Sequence, residues 1–357
     1  MHPHWPGVAF VHCLLAIAGS LLAGVSPVAG FALVFVAAVS LFGDLSGRWY
    51  LIRRLLFFRR ASQNVVSPPL PPERAETASE EPARVIVCAH VDSPLTGAAY
   101  NDWALRAWAR FARIWPARTS PQAVIFWSIA LLLPPLGARM AGVDVELISA
   151  LQLPQTFVLL IAAFFLGEIA LSPPSPGAND NAAGVAAALA VAERLREPAP
   201  ESVEVVLLLA GAGETTRQGA RSFIRSHRKQ LPKDRTWFID IDSPGRGDAR
   251  FVALEVPVIA QPCSRELGEL SAALCDGEPD RAELPLAPAG TASLAGALGY
   301  PAIALTARET DGFVPLDHHT PDDTPAAVDP EAIERVASLT VDLIRLLDRD
   351  VGRREKH

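Results

Sequence analysis

From Gly7 to Phe42 the chain carries no Asp, Glu, Lys or Arg, and no other stretch restricts its folding as strongly. A helix needs about 20 apolar residues to cross a bilayer. Here "VAFVHCLLAIAGSLLAGV" and "VAGFALVFVAAVSLF" are separated only by Ser26-Pro27. The pair reads as two short membrane helices joined by a tight turn. A secretory signal is the competing reading, but the basic start is missing and a second apolar run follows at once. A second pair of runs, "AVIFWSIALLLPPLGA" and "LPQTFVLLIAAFFLGEIAL", flanks a polar turn at Gly142 to Glu146, with Pro134-Pro135 set to end or kink the first helix. Buried helices of a soluble domain are the alternative for this pair. The hydrophobic share of 50% and mean hydropathy of +0.23 favour about four membrane helices.

This organisation gives an N-terminal hairpin over 1–43, a basic and then Pro/Glu-rich segment over 44–84, and the first part of a soluble domain over 85–121. An inserted hairpin occupies 122–171, and the rest of the soluble domain 172–357. In "GRWYLIRRLLFFRR", Arg48, Arg53, Arg54, Arg59 and Arg60 suit an amphipathic helix on a lipid surface or a simple stop-transfer flank. "SPPLPPERAETASEEPA" reads as a linker without a core. Each hairpin returns the chain to the side it left. The arginines above, with Arg106, Arg110, Arg113 and Arg118, then place the soluble part in the cytoplasm, Arg139 being the basic residue of the predicted short turns. The expectation is an integral protein of the inner or plasma membrane, with the lipid bilayer as a partner.

The formal charge of -7 and the lack of a basic stripe exclude nucleic acid as a partner. Cys13, Cys88, Cys263 and Cys275 form no CxxC pair, so no thiolate zinc site is expected and a reducing compartment fits; Cys263 and Cys275 would pair only in an oxidising one.

In the soluble part, "RVIVCA", "VEVVLLLAG", "TWFIDID" and "YPAIALTA" read as buried strands alternating with helices. Asn181 to Leu195 is the Ala-rich one, and Pro330 opens the last. The fold class is therefore α/β, a mixed, largely parallel sheet between helices, and ligand sites in such sheets lie at the carboxyl ends of the strands. The acids and histidines that fall there are His90 and Asp92, Asp180 in "SPGANDNAAG", Glu214 in "GAGETTRQGARSFI", Asp242, and His319 in "DHHTPDDT". Each alone is weak, and a loop Asp before a helix is commonly an N-cap. Together, two imidazoles and three carboxylates match a pair of zinc ions with a shared carboxylate. Asp92, two residues beyond His90, is placed to accept the far ring N–H of that histidine.

These residues stand in "SQNVV" (62–66), "VIVCAHVDSP" (85–94), "GANDNAAGVAAALAVAERL" (177–195), "GETTRQGARSF" (213–223), "FIDIDSPG" (238–245), "LGYPAIAL" (298–305) and "HTPDDT" (319–324). The chain thereby resembles the co-catalytic di-zinc aminopeptidase family, of the bacterial leucyl aminopeptidase, aminopeptidase S and glutamate carboxypeptidase II type, in a membrane-embedded variant. The resemblance skips both hairpins. It implies two zinc ions, one on His90 and Asp242 and the other on Glu214 and His319. Asp180 would bridge them, and Asp92 would orient His90. The neighbouring residues select Asp242 over Asp240 and His319 over His318. It further implies hydrolysis of peptides with a free N-terminus.

The family ends its second strand in two glutamates, the first a general base and the second a ligand. Here Gly219-Ala220-Arg221 lies five residues after Glu214, which makes Glu214 the ligand and puts Gly213 where the base belongs. In a register shifted by one, Glu214 is the base and Thr215 replaces a ligand. Ala292 is a second departure, standing where the family often has Asp. Glu309, after "PAIALTA", is the candidate substitute base. An active metallopeptidase therefore stands beside a pseudopeptidase that binds without cleaving, and more distantly beside another zinc hydrolase or amide-forming enzyme. Oligomeric state is not readable.

Overall fold

The computed structural model describes residues 5–58, 60–70, 83–114, 120–143, 146–255, 258–274, 283–284, 287–309 and 314–354, with the side chains of 109 and 111–114 excepted. Arg59, Arg118, Cys275 and most of the Pro/Glu-rich linker lie outside the described residues. Two compact units emerge, one centred on Met1–Ala61 and Leu95–Pro173, the other on Ser62–Pro94, Pro174–Val256 and Ala260–His357.

The first unit is helical: α1 (Trp5–Leu22), α2 (Pro27–Ser46), α3 (Leu51–Leu56), α4 (Asp102–Ile114), α5 (Pro121–Leu131), α6 (Leu133–Met140) and α7 (Glu146–Leu171). Among the described residues, four stretches are long and apolar enough to cross a membrane: Trp5–Leu22, Pro27–Ser46, Pro121–Met140 and Glu146–Leu171. Pro134 and Pro135 sit in the first turn of α6 and separate it from α5, because proline has no N–H to continue a helix. Glycines let α1 and α2 meet backbone to backbone: a Cβ on Gly19 would come within 2.8 Å of the Gly30 carbonyl oxygen. Large apolar side chains such as Phe157, Phe164 and Leu171 stay exposed on α7, the mark of a surface made for something other than water.

Two expectations change in this unit. Arg53 does not reach towards lipid phosphate. It is buried, and its Nε and Nη2 donate to the Asp44 carboxylate at 2.7 and 2.6 Å. Residues 95–114 and 120–121, expected within the soluble domain, group with the apolar helices. The Ala98 N–H donates to Glu168 of α7 at 2.9 Å, and Trp103 of α4 packs on Phe165 with ring centroids 6.1 Å apart.

The second unit is α/β. Its strands are β1 (Val65–Val66), β2 (Ala83–His90), β3 (Val203–Ala210), β4 (Thr236–Ile241), β5 (Asp248–Val252), β6 (Leu254–Glu255), β7 (Gln261–Pro262), β8 (Glu283–Leu284) and β9 (Ala302–Arg308). Seven form one sheet in the order β1-β3-β2-β4-β9-β5-β8, while β6 and β7 pair separately. The central four, β3-β2-β4-β9, run parallel, and antiparallel pairs β1–β3 and β9–β5 flank them. Strand β1 arises from "SQNVV", so the sheet begins before the expected boundary at 85.

Helices α8 (Gly184–Arg194) and α12 (Pro330–Arg354) pack on one face of the sheet. On the other face lie α9 (Gln218–Ser226) and α11 (Thr291–Ala297), and α10 (Arg265–Ala273) leans on the α12 side. The pleat divides each strand accordingly: Val85, Val87 and Ile239 face α8 and α12, whereas Ile86, Cys88 and Phe238 face the other layer. The helix expected from Asn181 begins regularly only at Gly184, because Asp180 and Asn181 are held in non-helical backbone.

Candidate metal centre

The parallel register alone brings two of the expected residues together. Cys88 of β2 lies opposite Asp240 of β4, so two residues further along His90 is level with Asp242, on the same side of the pleat. Asp180 comes from the irregular turn before α8, Glu214 from the turn after β3, and His318 and His319 from the loop after β9.

The Asp180 turn is stitched in place by side chains that the sequence did not single out. Both carboxylate oxygens of Asp323 accept backbone N–H groups, from Asn179 at 2.6 Å and Asp180 at 3.1 Å. Asn179 accepts the N–H of Gly245 at 2.7 Å. Asn181 donates to the Ile241 carbonyl at 2.9 Å and accepts from Ser243 N at 3.0 Å. The visible signal was the pattern "NDN" facing "DDT"; its meaning needed the fold.

At the centre, Asp180 divides its two oxygens. Oδ1 lies 3.2 Å from His90 Nε2, while Oδ2 lies 3.0 Å from His318 Nδ1 and 3.2 Å from His319 Nε2. Among the described residues, two sets of potential ligand atoms each fall within 4.8 Å: His90, Asp180 and Asp242, and Asp180, His318 and His319. Zinc bound tetrahedrally to nitrogen and oxygen at 2.0–2.1 Å holds its ligand atoms about 3.3 Å apart, and the separations of Asp180 from the three imidazoles suit that spacing. Glu214 belongs to neither set. Its Oε1 stands 3.7 Å from His90 Nε2 and its Oε2 3.7 Å from His319 Nε2.

His90 is oriented as expected but by a different atom. Its Nδ1 donates to the backbone carbonyl of Asp92 at 2.9 Å, which leaves the Nε2 lone pair for a metal. The Asp92 carboxylate lies 3.8 Å from His90 Nδ1. It accepts instead from Gly213 N at 2.7 Å and Glu214 N at 3.1 Å. Asp92 thus holds the Glu214 turn against the His90 strand.

The other expectations separate clearly. Asp240 turns away and accepts N–H groups from Thr291 and Ala292 at the start of α11. Glu309 is not brought to the cluster: it is half-exposed and accepts from Arg246 Nε at 2.8 Å. The same Arg246 donates to Asp317 at 2.6 Å and so pins the loop that carries both histidines. Gly213 has no room for a carboxylate, since a Cβ there would come 2.4 Å from the His90 Cβ.

Electrostatics follow from burial. Burial opposes the Asp180 carboxylate, yet hydrogen bonds from His318, His319 and His90 hold it well below the usual range. Burial and then the charge of Asp180 push Glu214 well above it. Burial, with the neighbouring His318, lowers His319 to about 4. Beneath the cluster, burial first and carboxylate repulsion second raise Asp240 to about 7 and Glu255 to about 8. Such opposed shifts within one cleft are typical of functional sites.

The family described as Peptidase family M28 matches residues 163–344, just over half of the chain. Among solved structures, an aminopeptidase from Aneurinibacillus sp. strain AM-1 is similar at 24% identity and a TM-score of 0.38, covering 48% of this chain and 39% of that one. A zinc aminopeptidase from Bacillus subtilis is similar at 15% identity and a TM-score of 0.49, covering 81% and 50%. A glutaminyl cyclase from Bacteroides thetaiotaomicron is similar at 13% identity and a TM-score of 0.44, covering 97% and 99%. The chain thus spans half or less of the length of the first two. The comparison with curated proteins finds no match.

Proposed function

The chain belongs to peptidase family M28, and from that premise we propose that it is a membrane-anchored, zinc-dependent aminopeptidase. Its substrates are peptides with a free N-terminus. The observation that carries this reading is the division of Asp180 between two ligand sets, His90 with Asp242 on one side and the histidine loop on the other.

Zinc, when bound, polarises a carbonyl and lowers the pKa of its water towards 7. The chain's own residues do the rest. The Asp92 carbonyl fixes the tautomer of His90, Asp323 fixes the height of Asp180, and Arg246 with Asp317 fixes the histidine loop. Glu214, half-buried, has one oxygen 3.7 Å from His90 Nε2 and the other 3.7 Å from His319 Nε2 while belonging to neither set.

The test is made on the full chain in detergent. Chelation is expected to abolish hydrolysis of amino-acid p-nitroanilides, and about two equivalents of zinc should restore it. Zinc retained at two per chain with no turnover on any peptide would favour the pseudopeptidase reading. A chain that takes up no zinc would end both.

The four apolar stretches support anchoring, and the arginine count supports a cytoplasmic α/β unit. The protein is expected to stay in the membrane pellet at alkaline pH. Protease added outside intact spheroplasts should leave the C-terminal unit uncut. Its release at alkaline pH would overturn the anchoring, and its digestion the orientation.

A further inference from the structure

The resemblance implies two consecutive glutamates after β3, where this chain has Gly213 and Glu214. We propose that His318, rather than Glu214, completes the second metal-binding set, leaving Glu214 as an uncoordinated carboxylate facing both sets. The inference rests on the zinc reading above and changes its ligand assignment.

Three observations converge on it. First, the compact set is Asp180, His318 and His319. His318 Nδ1 approaches Asp180 Oδ2 at 3.0 Å, closer than His319 Nε2 at 3.2 Å, and both distances suit neighbouring ligands on one zinc. The two rings are stacked, with centroids 3.8 Å apart and an interplanar angle of 29°. Left-handed backbone at Asp317 and His319 presents them together, and Arg246 anchors Asp317.

Second, Glu214 falls outside both compact sets. Its oxygens lie 3.7 Å from one imidazole nitrogen of each set, and its backbone is tied to Asp92. Third, the neighbours of Glu214 cannot exchange roles with it. Gly213 has no space for a side chain against His90. The Thr215 hydroxyl donates back to the Ala212 carbonyl at 3.1 Å, inside its own turn. A register with Glu214 as the proton acceptor therefore lacks a ligand at position 215, and His318 supplies it from another loop.

In hydrolysis the water O–H bond breaks as its oxygen bonds to the scissile carbonyl carbon. The proton passes to a Glu214 oxygen and then to the leaving amine nitrogen as the C–N bond breaks. Nothing else is consumed.

Zinc content of the purified full chain decides the matter, because the two assignments predict opposite outcomes. His318→Ala is expected to fall from two zinc ions per chain to one. Glu214→Gln is expected to keep two while hydrolysis drops by about 10²–10⁴-fold, the worth of a general base. With cobalt in place of zinc, the visible bands should change in His318→Ala and persist in Glu214→Gln, a signature that general misfolding would not give selectively. Loss of one ion in Glu214→Gln, or two ions retained in His318→Ala, would overturn the assignment. A wild-type chain without zinc would overturn this inference together with the functional reading, whereas two ions without peptidase activity would remove only the latter.

Discussion

Asp180→Asn is expected to fold, to lose zinc from at least one of the two sets, and to reduce peptide hydrolysis to background. Few single substitutions should cost as much, because Asp180 is, among the described residues, the side chain common to both sets. An amide keeps one oxygen but replaces the other with an NH2 donor. Whichever way it turns, one side of the site meets a donor where a metal ligand is required. Folding survives, because the turn is held by backbone N–H bonds to Asp323 and by Asn179 and Asn181, none of which uses the Asp180 carboxylate. Metal analysis, an aminopeptidase assay and a thermal melt on the same sample test all three parts. Two ions per chain in Asp180→Asn would remove Asp180 from the centre.

The same residue gives the metal-free protein a pH signature. Asp180 is held below its unfolded pKa by three imidazoles, so its stabilising contribution is present above the ordinary carboxylate range and is lost as pH falls through the folded value. Metal-free wild type should therefore lead Asp180→Asn in melting temperature near neutral pH and converge with it in acid.

The strands and their end residues were legible because a buried parallel strand needs an unbroken apolar run, and the polar residue that ends it is conspicuous. His90 and Asp242 needed nothing more, since parallel register sets them level. What could not be read was who takes each polar group. Glu309 is captured by Arg246, 63 positions away in sequence. The Asp92 carboxylate bonds a turn more than 120 residues downstream in preference to its neighbour His90. His318 and His319 are adjacent, so composition and spacing treat them alike; only the left-handed turn that stacks them shows both reaching Asp180. The grouping of Ala98 and Trp103 with the apolar helices was hidden for a similar reason. The contacts of Ala98 and Trp103 with α7 span some 60–70 residues, and hydrophobicity alone does not report them.

The second large effect is expected in the helical unit, at Asp44 and Arg53. Their side chains are 2% and 0% exposed, and two charged hydrogen bonds at 2.7 and 2.6 Å join them. Removing one partner of such a pair leaves a buried charge uncompensated and costs about 3–5 kcal/mol, whereas replacing both with apolar residues of similar volume is often neutral. Asp44→Leu and Arg53→Met should each lower the unfolding midpoint in detergent sharply, and the double variant should recover most of the loss. The pair has a local consequence as well. Helix α3 has six residues, too few to persist on propensity alone. It is tied to α2 by Arg53 to Asp44 and by a weaker bond from the Ile52 N–H to Ser40 Oγ at 3.3 Å. Trypsin should therefore cut after Arg54 faster in both single variants than in the double variant or the wild type. If the single variants unfold and are cleaved like wild type, the pair contributes nothing to this unit, and the apolar packing of α1, α2 and α7 sustains it unaided.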